Sequence, residues 1–299
     1  MKTRETLNYC VLDVFTNENY KGNPLAVVFT NGNLELEQYK NIAKEFGYSE
    51  TSFIYYSKIQ KALNIRSFTP IGVEVGGAGH NLLGAVCLAI LKEMEIFQEQ
   101  KANPFVIMKE NPIPVFADTD SPTHLPVVKM LQKSAVIGNV VPAEFVANAL
   151  GLTIDDLDVK IFPPTIVQTE VSHLMIPISN LEKLNSIKPD NKLLTEISKE
   201  YLFEGFYCFA FTGEEDGAFV QSRFFNPLIG IDEDAATGTA AGPLAGILSN
   251  KQLIQLNKDY QILQGVKLNQ PSLIQVMVKE NNILVGGSSV ITMEGKIYL

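Results

Sequence analysis

The chain reads as an α+β protein built from two similar halves, and three observations point there. Short Val- and Phe-rich apolar runs alternate with stretches of helical period along the whole sequence. The stretch "RSFTPIGVEVGGAGHNLLGA" lies over "RFFNPLIGIDEDAATGTAAGPLA". Arg66, Phe68 and Pro70 match Arg223, Phe225 and Pro227 at one constant offset, and Glu74 and Gly79 match Glu233 and Gly238 at an offset two residues longer. Each stretch also runs from strand through an acidic loop and a glycine into an apolar helix. Matches kept in the same order mark an internal repeat.

The elements follow in order. "NYCVLDVF" and "PLAVVF" are short, apolar and Val-rich, so they predict strands. "LELEQYKNIAKEFGY" places Leu34, Ile42, Ala43 and Phe46 near one face with charges opposite, which predicts a helix. "TSFIYYS" and "ALNIRSF" return to strand, and residues 80–94 read as an apolar, buried helix. "PFVIMKE", "IPVFAD" and "HLPVVKM" are strands broken by prolines, which mark the crossover from the first half to the second. A similar order then resumes. Helix-like "PAEFVANALG" precedes strands "TIVQT" and "HLMIPI", helix "NKLLTEISKEY", strands "GFYCFAF" and "GAFVQSRFF", and the helical run "TAAGPLAGILS". "TIDDLD" reads as a capped surface helix start, "GEEDG" at 213–217 as a hairpin turn, and the tail from Tyr260 as mostly strand. A weaker echo joins "TNENYKGNPLAVVF" to "TIVQTEVSHLMIPI".

Composition narrows the function classes. The chain has 299 residues, 46% of them hydrophobic, which is ample for one or two packed cores. Lys and Arg number 24 against 33 Asp and Glu, a net charge of −9. That balance, with no basic cluster, argues against nucleic acid as a partner. The start, "MKTRETLNYC", is polar and does not read as a signal peptide. The longest apolar run, Leu82–Leu91, is about half of the roughly 20 residues a membrane span needs. Cys10, Cys87 and Cys208 lie far apart in apolar patterns with no CxxC, as buried reduced thiols do. The expected compartment is the cytoplasm. His124 and His173 lack neighbours at ligand spacing, so no metal site is expected.

The repeat explains why a glycine loop and an ionisable ring stand at the mouth of a buried helix. The first turn of a helix leaves N–H groups unpaired, and its aligned peptides add roughly half a positive charge there. Such an end suits a carboxylate or a developing anion. If the halves pack about a pseudo-twofold axis, two helix starts face one cleft. His80 and Thr239 are then side-chain donors at matching positions, one residue after Gly79 and Gly238. Taken singly, each loop is equally an ordinary strand-to-helix turn, with His80 as a cap and Thr239 as a first-turn residue.

The motifs "DVFT…GNPLAVV", "YSETSF", "RSFTP…AGHNLLG" and "GIDEDAATGTA", in that order over almost the whole chain, resemble those of the PhzF-type phenazine-biosynthesis isomerases, which share the diaminopimelate epimerase fold. The resemblance implies two pseudo-symmetric domains, each a mostly antiparallel, barrel-like sheet around a central helix, with the active site between them. It places residues 1–120 with 285–299 in the first domain and 121–284 in the second. It also implies a homodimer that uses neither metal nor cofactor.

Position by position, the resemblance makes Glu50 of "YSETSF" the general base and acid, carrying a proton from one carbon to another. It makes His80 and Asp234 further active-site groups. Gly79, His80, Gly238 and Thr239 become the substrate-binding set, with Thr239 where serine is usual and Ala235 where proline is common. The racemases of this fold carry two cysteines where this chain has Ala78 and Thr237, so a two-thiol mechanism is not expected.

The residue types suit that chemistry. Removing a carbon-bound proton leaves negative charge to be stabilised. A carboxylate base works best when a dry pocket raises its pKa toward neutrality, and helix-end donors can hold the substrate carboxylate and enolate-like charge. The expected function is therefore a cofactor-independent isomerase acting on a small carboxylated, cyclic substrate. Two alternatives stay open: a related epimerase or lyase without a cysteine pair, and a non-enzymatic small-acid binder on the same scaffold. The substrate, the pathway and the role of Asn81 are not legible in the sequence.

Overall fold

The computed structural model describes residues 5–76, 79–94, 104–119, 124–213 and 217–299. Ala78 and the centre of the expected 213–217 turn lie outside them. The chain divides into two compact units, Met1–Met130 with Gly286–Leu299, and Leu131–Val285.

In the first unit, β1 (Thr6–Val14) pairs antiparallel with β2 (Asn23–Phe29). Helix α1 (Leu36–Phe46) crosses over to β3 (Thr51–Ser57), which runs parallel to β2. Strand β4 (Ala62–Phe68) is antiparallel to β3. A two-residue strand β5 (Glu74–Val75) folds back on β4, and helix α2 (His80–Leu91) leads to β6 (Phe105–Met108), parallel to β4. Strands β7 (Asn111–Asp118) and β8 (Val127–Lys133) continue antiparallel.

The second unit repeats this plan. After β9 (Val136–Val140), helix α3 (Ala143–Ala149) leads to β10 (Thr165–Gln168) and β11 (Ser172–Pro177), an antiparallel pair. Helices α4 (Leu181–Ser186) and α5 (Asn191–Tyr201) cross to β12 (Gly205–Phe211), parallel to β11. Strand β13 (Val220–Asn226) is antiparallel to β12, and short β14 (Ile231–Asp234) folds back on it. Helix α6 (Gly238–Asn250) then leads to β15 (Tyr260–Gln264), parallel to β13, and β16 (Ser272–Val278) pairs antiparallel with β15. Strand β17 (Asn282–Gly287) follows, and β18 (Ser289–Tyr298) returns to pair with β1. The alternation of antiparallel and parallel pairs is the same in β1–β7 and in β10–β16, so the repeat read from a few side chains is a repeat of topology.

Strand alternation splits each sheet into two faces. In the first unit Val28, Phe53 and Phe68 pack under Tyr39, Ile42 and Ala43 of α1. The other face meets α2, ten of whose twelve residues are buried. A helix apolar all round must be enclosed, and α2 touches β1, β2, β3, β4 and β18. Gly84 matters here, because a Cβ would strike Leu25 and Val14. In the second unit Leu174, Ile176, Phe206, Cys208 and Phe225 pack under α3, α4 and α5. Helix α6 lies against β10, β11, β12 and β16.

Four local features differ from the sequence reading. The two "acidic loops" are the short strands β5 and β14. They pair because Arg66 and Arg223 draw the carboxylates of Glu74 and Glu233 back along the preceding strand. Helix α4 had no periodic run to announce it, although Asn180 caps it by accepting from the Lys183 N–H. Strand β9 was also unforeseen, since its five residues are all exposed. "TIDDLD" is one capped 3-10 turn over Ile154–Asp156. Among the described residues, no helix is long and apolar enough to cross a membrane.

Candidate active site

In the first unit, Glu50 is placed by a tight helix exit. Gly47 adopts φ 68 and closes α1 by donating its N–H to the Ala43 carbonyl. Four residues later the chain enters β3 at Thr51, leaving Glu50 at the strand mouth. His80 is the first residue of α2. Ser52 ties the two elements together, because its hydroxyl donates to the Asn81 carbonyl at 3.1 Å. That commits the Ser52 proton, so Ser67 is the donor in the 2.9 Å contact between the two serines.

The result is a close pair. His80 Nδ1 lies 3.5 Å from Glu50 Oε2, and their side chains are 9% and 17% exposed. His80 Nε2 lies 3.4 Å from the Ser49 hydroxyl. Burial pushes the His80 imidazole down to about 4, so the ring is neutral at neutral pH. A neutral ring carries one N–H. With Glu50 ionised, that proton belongs on Nδ1 toward the carboxylate, and Nε2 then accepts from Ser49.

Two further titratable groups of this unit were not singled out in the sequence. Asp13 of the "DVFT" motif is buried and accepts the Tyr20 N–H at 2.6 Å; burial raises its carboxyl. Tyr48, beside Ser49, has its phenol raised by burial and by the charge of Asp13. The signal for Asp13 was a carboxylate near the end of a largely apolar strand. Asn81 proves to serve its own helix: it is fully buried, and its Oδ1 accepts from the Gly79 and Leu82 N–H groups at 2.8 Å each. Those two donors are therefore spoken for. Gly79 has φ −135 and ψ −142, and among the described residues a Cβ there would meet only Asn81 Oδ1, at 3.6 Å.

In the second unit, Asp234 ends β14, and Gly238 and Thr239 open α6. Thr237 is the N-cap, but its hydroxyl donates to Asp234 Oδ2 at 2.7 Å rather than to the helix. The first two N–H groups of α6, on Gly238 and Thr239, have no acceptor four residues back. Pro243 lies inside α6 and has no N–H to offer the Thr239 carbonyl. Gln132 donates to the Gly238 carbonyl at 2.9 Å and accepts from Thr169 at 3.0 Å. Gln264 holds the Asp234–Thr237 turn from beneath.

All three cysteines are buried free thiols away from both helix starts, and burial pushes Cys87 up to about 12. No group of three or more His, Cys, Asp or Glu among the described residues is arranged to hold a metal ion.

Comparison with known proteins agrees with this architecture. The model of the family described as phenazine biosynthesis-like protein, PhzC-PhzF, matches residues 12–295. The trans-2,3-dihydro-3-hydroxyanthranilate isomerase of Pseudomonas aeruginosa is 30% identical over 300 residues, covering 97% of this chain and 99% of that protein. The crystal structure of a Bacillus anthracis phenazine biosynthesis protein of the PhzF family superposes with a TM-score of 0.86 at 23% identity, covering 99% of this chain and 100% of that one. A hydroxyproline epimerase from Agrobacterium vitis shares the fold at TM-score 0.64 and 10% identity, over 100% of this chain and 94% of its own. With two α+β units of one plan and a family match over nearly its full length, this chain belongs to the PhzC-PhzF phenazine biosynthesis-like family.

Proposed function

We propose that this protein is a cofactor-independent isomerase that moves a proton between carbons of a small carboxylated, cyclic substrate. Glu50 takes the proton and returns it. The observation that carries this reading is the Glu50–His80 pair, 3.5 Å apart and largely withdrawn from water. Membership of a family with named isomerases supports the reaction class.

The chemistry follows from the groups. Glu50 as a carboxylate accepts the carbon-bound proton. The neutral His80 ring holds that carboxylate and can pass a proton to or from a substrate amino or hydroxyl group. Asp234 is assigned the same proton-holding role in its own unit. Gly79, Gly238 and Thr239 are assigned to substrate binding, through the close approach that the absence of a side chain at Gly79 allows and through the helix-start N–H groups and hydroxyl of α6. The proposed step needs no other group, because the same carboxylate removes and restores the proton.

The P. aeruginosa relative's name supplies the trial substrate, trans-2,3-dihydro-3-hydroxyanthranilate, which bears a carboxylate, an amine and a hydroxyl on one ring. Proton NMR in D₂O compares wild type with Glu50→Gln. The expected result is isomerisation with deuterium uptake, slowed by about 100- to 10,000-fold in the variant. Wild-type turnover that survives in the variant removes Glu50 as the base. No turnover by wild type removes this compound as the substrate.

A further inference from the structure

The Asp234 turn rests on a chain of hydrogen bonds whose direction is determined at every link. Gln264, fully buried at the end of β15, is its centre. Its Oε1 accepts from the Thr237 N–H at 3.2 Å and from the Tyr207 hydroxyl at 3.0 Å. Its Nε2 donates to the Asp234 carbonyl at 2.9 Å and to the Thr237 hydroxyl oxygen at 3.0 Å. All four capacities of the amide are used. Turned over, it would set a donor against the Thr237 N–H and an acceptor against the Asp234 carbonyl, so one orientation alone fits.

That orientation sets the rest. Thr237 receives a hydrogen bond from Gln264, and its own proton goes to Asp234 Oδ2. Upstream, Tyr207 gives its proton to Gln264 and receives one from Ser222 at 3.0 Å. Burial keeps the Tyr207 phenol protonated. The direction therefore runs one way, from Ser222 through Tyr207, Gln264 and Thr237 to the carboxylate. Packing adds a second constraint. Gly265, at φ 77, lets the turn approach so closely that a Cβ would come within 2.6 Å of the Ala235 carbonyl.

We infer that Gln264 and Thr237 are positioning residues, which orient the Asp234 carboxylate and hold it as a hydrogen-bond acceptor through this one-way relay. The inference rests on the role proposed above for Asp234. Neither residue touches substrate; they act through Asp234. Aligned hydrogen bonds polarise one another in a low-dielectric interior, so a break at Thr237 or at Gln264 is felt at the same carboxylate.

Thr237→Val removes the hydroxyl at nearly constant shape, Thr237→Ser restores it, and Gln264→Glu keeps the shape while replacing two donors with acceptors. Steady-state kinetics on the trial substrate, with thermal unfolding alongside, reads the effect. Thr237→Val and Gln264→Glu are expected to lower kcat by about 10- to 100-fold with KM little changed. Thr237→Ser stays within about threefold of wild type, and the double variant loses little more than either single one. Wild-type kcat in Thr237→Val, or losses that multiply in the double variant, would overturn the relay. If wild type fails to turn over the compound, the isomerase reading fails separately. The relay is then read from the Gln264 side-chain NH₂ signals in ¹⁵N-edited NMR. Slow exchange with solvent and a shift in both Thr237→Val and Asp234→Ala support it; unshifted signals overturn it.

Discussion

Arg223 grips Glu233 through two parallel hydrogen bonds, Nε to Oε1 at 2.8 Å and Nη2 to Oε2 at 2.7 Å. Arg66 grips Glu74 in the same way, at 2.7 and 2.9 Å. Each guanidinium also stacks on the phenylalanine two residues on, Phe225 at 5.0 Å and Phe68 at 5.1 Å. The residues that align in the repeat are thus the residues that fasten each short acidic strand ahead of its buried helix.

The two clamps differ in burial, and that sets the first prediction. Arg223 and Glu233 are 5% and 12% exposed, and Arg223 also donates to the carbonyls of Leu184 and Ile187, holding α4. Arg66 and Glu74 are 35% and 27% exposed. Glu233→Gln leaves a buried guanidinium half-paired and should cost about 3–5 kcal/mol. Glu74→Gln, with water close by, should cost about 1 kcal/mol or less. Urea unfolding of both variants checks the order; equal losses would contradict it.

Acid should weaken the fold through two buried rings. His80 and His173 are pushed down to about 4 and about 3 from 6.5 by burial. Below pH 6.5 the unfolded chain therefore binds protons that the folded chain refuses, so stability falls as pH drops from 6.5 toward those values and is intact above 6.5. Neither ring nitrogen of His173 has a hydrogen-bond partner among the described residues, and the ring stands edge-on to Phe224 at 5.3 Å. His173→Leu should flatten the loss between pH 6.5 and 4.5. An unchanged slope in denaturant titrations would exclude His173 as a source.

Gly79→Ala separates ligand approach from folding. Among the described residues, an added Cβ meets only Asn81 Oδ1, at van der Waals distance. Stability should change by less than about 1 kcal/mol. A rise in KM at constant Tm would then report a substrate group seated against this backbone. A marked drop in Tm would show instead that the glycine is structural.

Ser52→Ala tests the tie between the strand that follows Glu50 and the helix that His80 opens. The variant leaves the Asn81 carbonyl without the Ser52 donor and Ser67 without its acceptor, all in a dry interior. The expected cost is about 1–3 kcal/mol. The His80 ring should also show a changed ¹⁵N signal, since the start of α2 loses its anchor to β3. A variant as stable as wild type, with the His80 signals unmoved, would dismiss the tie.

Much of the architecture was legible because local chemistry writes it. Short runs rich in aromatic and apolar residues made strands at Thr51–Ser57 and Gly205–Phe211, and a longer apolar run made the enclosed helix His80–Leu91. Short pieces were harder to see. Val136–Val140 is wholly exposed and pairs by backbone alone, and Leu181–Ser186 is too short to show a period. Glu74 and Glu233 stood out as matched acids, but that they lie in strands depends on arginines placed by the sheet.

At the site the division is the same. Sequence alone determined the residue types and their order: Glu50 before a strand, His80 and Thr239 after glycines at helix starts, a duplicated frame carrying both. It could not determine which polar groups serve the fold and which are left for a ligand. Asn81 turned inward to cap its own helix, Thr237 gave its proton to Asp234, and Gln264, distant from both in sequence, came to lie beneath them. The reason is that hydrogen bonds in a buried interior must be satisfied by whatever the packing brings within about 3 Å, and only the tertiary structure decides what that is.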